Sequence, residues 1–334
     1  MKKLFGIIIL LLLGFVLISC EDTSPTEGVI YRASTDGTYA EVVGYEGTET
    51  RVRIATDYEG LPVKAIFREA FKANATVASV VIPNGVTTIG SSAFADCDSL
   101  VEVTIGADVT SIGFEAFYHC NNLGSVVIPD SVTAVGTHAF RECYKLSSVV
   151  IGNGATAIGY QAFADCYALQ SLVIGESMRA IGEEAFKYCR SLASVVIPDS
   201  VTSIGYQAFA GCLNLSDITV GKNNSNYKSI DGNLYSKDGT TLIQYAVGKT
   251  ETNFTLPDGV TRIDGFAFWY CSDLKSIVIG KGLVRIGASA FSACDSLSEV
   301  YYGGSEEDFS LINIGIYNDY LTEAAIHYNY SPEQ

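Results

Sequence analysis

Nine cysteines and three histidines are the side chains of this 334-residue sequence whose types could carry metal, redox or nucleophilic chemistry. Cys97, Cys120, Cys143, Cys166, Cys189 and Cys212 follow one another at intervals of 23 residues, and Cys271 and Cys294 repeat that interval further on. A structural metal site needs ligands clustered in pairs such as C-x-x-C, and no such pair occurs. Disulfides suit an exported chain, but members of one column in a stack of equivalent units point the same way, one strand spacing apart. A buried ladder of small apolar thiols, only occasionally oxidised, is therefore expected. His119 and His138 fall at variable positions and His327 near the C-terminus, and no Ser or Cys has a His and an acid at the spacing of a nucleophile motif. Scattered Asp residues and Asp-Gly pairs do not make a calcium loop. These residues predict no enzyme, no metal and no cofactor.

The cysteines sit in a longer repeated unit, and that unit must position everything else. Phe71, Phe94, Phe117, Phe140, Phe163, Phe186 and Phe209 are 23 residues apart; after a gap of 59 the series resumes at Phe268 and Phe291. A fixed period of this length means a solenoid. Nine residues after each Phe come Val80, Val103, Val126, Val149, Leu172, Val195, Ile218, Ile277 and Val300, and two further on a second apolar column, Ile82 to Tyr302. Alternation of this kind predicts a strand with one buried face, stacked into a parallel sheet at about 4.8 Å per coil, or roughly 45–50 Å for ten or so coils. Pro or Gly ends each strand, a short apolar strand closing on Gly follows, and Ser91 or Ser92 is placed to cap a single helical turn carrying Ala93, Phe94 and Cys97.

The ends of the chain read differently. Lys2 and Lys3 precede an apolar run from Leu4 to Ile18, too short to span a bilayer comfortably, so residues 1–20 read as an export signal. Leu17-Ile18-Ser19-Cys20 resembles a bacterial lipobox, which implies lipidation of Cys20, and Glu21 and Asp22 directly after it resemble a surface-export signal. Residues 21–28 form a tether, 29–62 a β-rich N-terminal cap over the exposed strand edges, 63–222 the first array of repeats, 223–255 a hairpin insertion, 256–303 the second array and 304–334 a C-terminal cap.

The pattern Val-x-x-Ile-Gly-x-x-Ala-Phe-x-x-Cys-x-x-Leu-x-x-Val-x-Ile-Pro/Gly is similar to the BspA-like class of bacterial leucine-rich repeats. Tyr227 to Gly239 with Leu242-Ile243-Gln244-Tyr245 resembles the hairpin insertion of that family, and Tyr301 to Phe309 its closing segment. The departures are Asn74 for Cys and Phe67 and Asp264 for Gly. The resemblance implies an α/β leucine-rich-repeat solenoid, right-handed and mostly β with single-turn helices, its parallel sheet on the concave face. It also implies display on a bacterial surface and binding of host matrix proteins or epithelial cells, and it brings no catalytic residues.

The formal net charge of −16, from 21 Lys+Arg against 37 Asp+Glu, argues against nucleic acid and against an anionic membrane, apart from a lipid at the N-terminus. Two surfaces remain. Facing solvent on the sheet, ten residues after each Phe, are Val81, Thr104, Val127, Val150, Val173, Val196, Thr219, Val278 and Tyr301, flanked by Ser79, Ser125, Ser148, Ser171, Ser194 and Ser276. Such a column favours strand stacking, and it also leaves an uncharged apolar stripe. Beside the turns lie Phe114, Tyr118, Tyr144, Tyr160, Tyr167, Tyr188, Tyr206, Trp269 and Tyr270, residue types suited to protein or sugar contacts. The expected function is recognition or adhesion by a lipoprotein on the bacterial outer membrane, binding a protein on a host or neighbouring cell. The alternatives are glycan capture through the aromatics, or an envelope scaffold with no soluble ligand.

Overall fold

The computed structural model describes residues 24–331. A 23-residue unit cannot bury its apolar face alone, and the chain buries it by stacking coils into a β-solenoid. Each coil gives a long and a short strand to two faces; the short strands pair without a break up to Ser203–Ile204, whereas the pairing of the long strands is interrupted between Ser171–Val173 and Ser194–Ile197. Long strands Ser125–Ile128 and Ser148–Ile151 set Ser125 against Ser148 and Ile128 against Ile151; short strands Ala134–Val135 and Ala157–Ile158 set Ala134 against Ala157. The constant period makes every column of the sequence a column in space.

The N-terminal segment joins both sheets. Ala40–Tyr45 pairs with Val29–Ala33 on one side and with Leu61–Ile66 on the other, while Arg51–Arg53 pairs with Ser79–Val81. Thr26 is bound to Arg53, its N–H donating to the carbonyl at 3.0 Å and its Oγ1 accepting the Arg53 N–H at 2.8 Å. The core is a ladder of parallel rings, with Phe94 and Phe117 5.0 Å apart, Phe140 and Phe163 5.2 Å, and Phe186 and Phe209 5.5 Å. Two tyrosines extend it: Tyr45 lies 6.0 Å from Phe71 and Tyr245 lies 4.7 Å from Phe268.

The segment around each Phe is not the single helical turn expected from Ser91 to Cys97. Among the described residues helices occur only in the C-terminal cap, at Glu306–Ser310 and Asp319–Thr322. Instead, the N–H groups of Ala93, Ala95 and Cys97 donate to the carbonyls of Gly90, Ser92 and Phe94, while those of Ser92, Phe94 and Asp96 donate across to Phe114, Ala116 and Tyr118 in the next coil. This alternation puts Ser92 and Asp96 at φ 53° and 59°. A helix would consume its donors internally; the turn ladder spends every second one on joining coils, so neither Ser91 nor Ser92 is a helix cap. The Gly that ends each short strand is required by close approach: a Cβ at Gly113 would lie 2.8 Å from the Ser91 nitrogen. Phe67 and Asp264, which replace this Gly, end the strands Leu61–Ile66 and Arg262–Ile263, which stack on Ala40–Tyr45 of the cap and Thr241–Gln244 of the insertion and not on a coil of the repeat.

The insertion is a meander, with Tyr227–Ile230, Asn233–Ser236 and Thr241–Gln244 antiparallel in turn and the last pairing parallel with Arg262–Ile263. Buried Asn224 fixes its start, donating to the carbonyls of Pro198 and Val201 and accepting from the N–H groups of Asn226 and Tyr227. The core divides here, one cluster ending at Leu234 and the next beginning at Tyr235. The turn ladder divides with it: the N–H groups of Gln207 and Phe209 have no acceptor among the described residues. At the other end the cap closes the same row, because the Phe291 N–H donates to Asn318 Oδ1 at 2.9 Å and the Ser289 N–H to the Ile316 carbonyl at 2.8 Å.

Candidate binding faces

The thiols have a structural part. Cys120 Sγ donates to the Phe94 carbonyl at 3.1 Å, Cys143 to Phe117 at 3.1 Å and Cys166 to Phe140 at 3.2 Å, and the pattern continues at Cys189, Cys212 and Cys294. These six cysteines, and Cys97 toward Phe71, thus bind a carbonyl of the preceding coil, which a purely apolar residue of that size would not do. Asn74, at the column's start, differs: its Oδ1 accepts the N–H groups of Thr76 and Val77, so it tightens the turn. The eight repeat cysteines are buried and unbridged. Among the described residues no group of three or more His, Cys, Asp or Glu is placed to hold a metal ion, and no helix is long and apolar enough to cross a membrane. Cys20, with the rest of residues 1–23, lies outside the described residues.

On the long-strand sheet the solvent-facing column is uneven. Val127, Val173 and Val196 are 62%, 51% and 60% exposed, Thr104 and Thr219 are also exposed, and Val81, Val150, Val278 and Tyr301 are half-buried. Tyr301 is covered by His327 and Tyr330, each 4.8 Å from it ring to ring. The apolar stripe is thus concentrated between Val127 and Val196.

The aromatic positions are brought together along the turn ladder. Phe114, His138 and Tyr160 form one run, with ring centroids 5.6 and 5.3 Å apart. A second run passes from Tyr118 through His119 to Tyr144 and Tyr167, and then, by way of Arg190, to Tyr188, Trp269 and Tyr270. Tyr206 meets the far end through Phe266, which packs edge-on against Trp269. His119, His138, Arg190 and Phe266 were not among the expected binding residues. Register identifies them: Arg190 falls four residues after its Phe, where Tyr144 and Tyr167 fall in the two coils before, and Phe266 stands two before its Phe, as His138 does.

The ring faces of Tyr144 and Tyr167 are occupied. Tyr144 and Tyr167 stack at 5.1 Å with planes 10° apart, and the Arg190 guanidinium lies 4.7 Å over the Tyr167 ring. The Tyr118 and Tyr144 hydroxyls both donate to Glu142 Oε2 at 3.2 Å. Burial, with the Glu142 charge, pushes the Tyr144 hydroxyl up to about 12. Around Tyr118, Tyr144 and Tyr167 the stripe therefore offers solvent ring edges, hydroxyls and carboxylates rather than free aromatic platforms, while Phe114, Tyr160, Tyr206 and Tyr270 are exposed.

A solenoid of stacked coils, each giving a long and a short strand, that carries exposed columns and a hairpin break is a leucine-rich-repeat solenoid in class. The model of the BspA type leucine rich repeat region matches residues 64–181, 110–240 and 240–319, in six copies, and the chain belongs to that family. It is similar to a leucine-rich repeat protein from Bacteroides ovatus ATCC 8483, at 27% identity over 90% of this chain and 77% of that one, with a TM-score of 0.67. It is similar also to a leucine rich cell surface protein from Faecalibacterium prausnitzii A2-165, at 26% identity over 87% and 97%, with a TM-score of 0.53. The pneumococcal vaccine antigen PcpA, at 18% identity over 92% and 88% and a TM-score of 0.61, shares the fold. No functionally curated protein matches the sequence. A protein-interaction or adhesion role is what this family suggests.

Proposed function

We propose that this chain is exported, anchored through lipid on Cys20 to the outer membrane, and displayed at the cell surface as a non-catalytic adhesion protein that binds a protein on a host or neighbouring cell. The observation that carries this reading is the uncharged stripe of Val127, Val173 and Val196, exposed along the long-strand face of a chain whose net charge is −16. Exposed apolar area of this kind on a rigid sheet is the usual core of a protein interface. The Faecalibacterium relative, described as a cell surface protein, supports the location. Glycan capture is the weaker alternative, because sugar stacking needs open ring faces and those of Tyr144 and Tyr167 are turned to each other and to Arg190.

Val127→Glu combined with Val173→Glu tests the stripe. Both side chains are exposed, so stability is expected to change by about 0.5 kcal/mol or less per site. Capture of purified host matrix and epithelial surface proteins is expected to fall about tenfold or more, measured beside a glycan array. Unchanged capture by the double variant would remove the sheet face from the proposal, and a glycan hit with no protein capture would favour the alternative.

The anchor has its own test. Cells fed radiolabelled palmitate are expected to label the parent chain and not Cys20→Ala. The variant is expected in the aqueous phase of a detergent partition, since the acyl chains supply about 0.8 kcal/mol per buried methylene and the acidic solenoid supplies no attraction to anionic lipid. A variant that stays with the membrane, or that still labels, would count against lipidation at Cys20.

A further inference from the structure

The break in the stack leaves one sheet edge open. Asn253–Thr255 is the outermost strand of the sheet that continues through Ser276–Ile279, Glu299–Tyr302 and Ala325–His327. On its paired side the Ser276 N–H donates to the Thr252 carbonyl at 3.1 Å and the Leu256 N–H to the Val278 carbonyl at 2.9 Å. Parallel pairing alternates along a strand, so residues 252, 254 and 256 face the sheet, and the N–H and C=O groups of Asn253 and Thr255 face away from it. Those outward groups have no partner among the described residues. The facing edge of the first array, Asp217–Val220, is held at its centre, where the Ile218 N–H donates to the Gly232 carbonyl at 2.8 Å and the Ile218 carbonyl accepts the Ser229 hydroxyl at 2.6 Å. The hairpin therefore covers the centre of the strand that ends the first array and neither outward residue of the strand that begins the second.

Along the open edge runs a groove of about 480 Å³, lined by Tyr245, Phe254, Lys249, Glu251, Asp231 and Asn233. We infer that this edge accepts an extended segment of a partner polypeptide as an added β-strand. Donors and acceptors alternating at strand spacing are complementary to another extended backbone, and a glycan or a small anion offers no such alternation. Proteins commonly blunt such edges with charge, Pro or a bulge, and Asn253 and Thr255 do none of these. The inward side chain of an added strand would lie beside Phe254 and Tyr245, which selects an apolar residue there, and the charges of Lys249, Glu251 and Asp231 select polar flanks. This inference rests on the protein-partner reading and specifies how one segment of that partner is held.

The probe is a fluorescent peptide copying residues 213–222, the strand that the repeat would set against Asn253–Thr255 without the insertion. Anisotropy with the full chain in detergent is expected to show saturable binding, absent for a scrambled peptide. Thr255→Pro deletes an outward N–H and leaves the bonds of residues 254 and 256 in place, so it is expected to weaken binding about tenfold at an unchanged unfolding temperature. A peptide N-methylated at alternate residues makes the same cut on the ligand side and does not depend on how the protein variant folds. Equal binding by Thr255→Pro and the methylated peptide would overturn the inference, as would failure to saturate by about 1 mM peptide. So would a dimer of the free chain that Thr255→Pro dissociates, since the occupant would then be a second copy. Val127→Glu with Val173→Glu is expected to keep peptide binding. Peptide binding without capture of any surface protein would defeat the functional reading alone, and capture without peptide binding would defeat the strand edge alone.

Discussion

Above about pH 9 the solenoid is expected to unfold, its first array before its second. Burial raises the proton affinity of every repeat thiol, pushing Cys212 and Cys271 up to about 12. In the unfolded chain a thiol titrates near 8.5–9. Between those limits the unfolded state releases protons that the folded state keeps, so the contribution of the buried thiols is complete below about pH 8.5 and is lost as pH rises. Each thiol approaches a slope of about 1.4 kcal/mol per pH unit. The first core contains six of them, from Cys97 to Cys212, and the second contains Cys271 and Cys294. The limiting slopes are then about 8 and about 3 kcal/mol per pH unit, against a typical domain stability of about 5–15 kcal/mol. Circular dichroism with iodoacetamide labelling and mass spectrometry, taken from pH 7 to 11, is expected to show six thiols becoming reactive together with loss of the β signal, and the other two at higher pH. Labelling of the thiols one by one in a chain that keeps its β signal would refute the buried ladder.

The same ladder shows what the sequence could and could not disclose. Its period and its columns were legible because stacking turns equal spacing into contact, so Phe94, Cys97 and Val126 could be assigned to the core from their recurrence alone. The turn was misread because Ser followed by Ala-Phe-x-x-Cys is as compatible with a capped helical turn as with alternating backbone signs; only the hydrogen bonds from Phe94 to Ala116 and from Asp96 to Tyr118 decide between them. The thiol donors were hidden for a related reason, since a side chain small enough for the column could be chosen for size, and it is the carbonyl 26 residues earlier that makes Cys fit. Tyr245 could have been placed, standing 23 residues before Phe268, but an aromatic inside an apparent insertion does not announce that the repeat has resumed. Asn224 and Asn318 carry no periodic signal, because each acts once, where the stack must begin or stop. The aromatic stripe was half visible: the residue types could be read, but not that Arg190 and the stacking of Tyr144 on Tyr167 would occupy the ring faces.

Phe140→Ala is expected to cost about 3–5 kcal/mol and to confine that loss to the first array. Phe140 is fully buried, stacked on Phe117 at 5.0 Å and on Phe163 at 5.2 Å, and the coils on either side cannot close over the void without leaving the register that their backbone bonds impose. In a stack stabilised by nearest neighbours the damage travels as far as the coupling does. The coupling is weak at Leu234 and Tyr235, where the core divides and the donors of Gln207 and Phe209 go unmatched among the described residues. Urea unfolding followed by hydrogen exchange is therefore expected to show two steps. Phe140→Ala should lower the step that includes Phe94 to Phe209, and Phe291→Ala the step that includes Phe268 and Tyr302. If either variant moves both steps equally, the insertion does not separate two folding units. The comparison also bears on adhesion, because Val127 and Val173 lie on coils beside that of Phe140. A capture defect in Phe140→Ala that disappears under conditions restoring its first unfolding step would mean that the stripe works only as a flat, rigid column, and that the Phe ladder holds it flat.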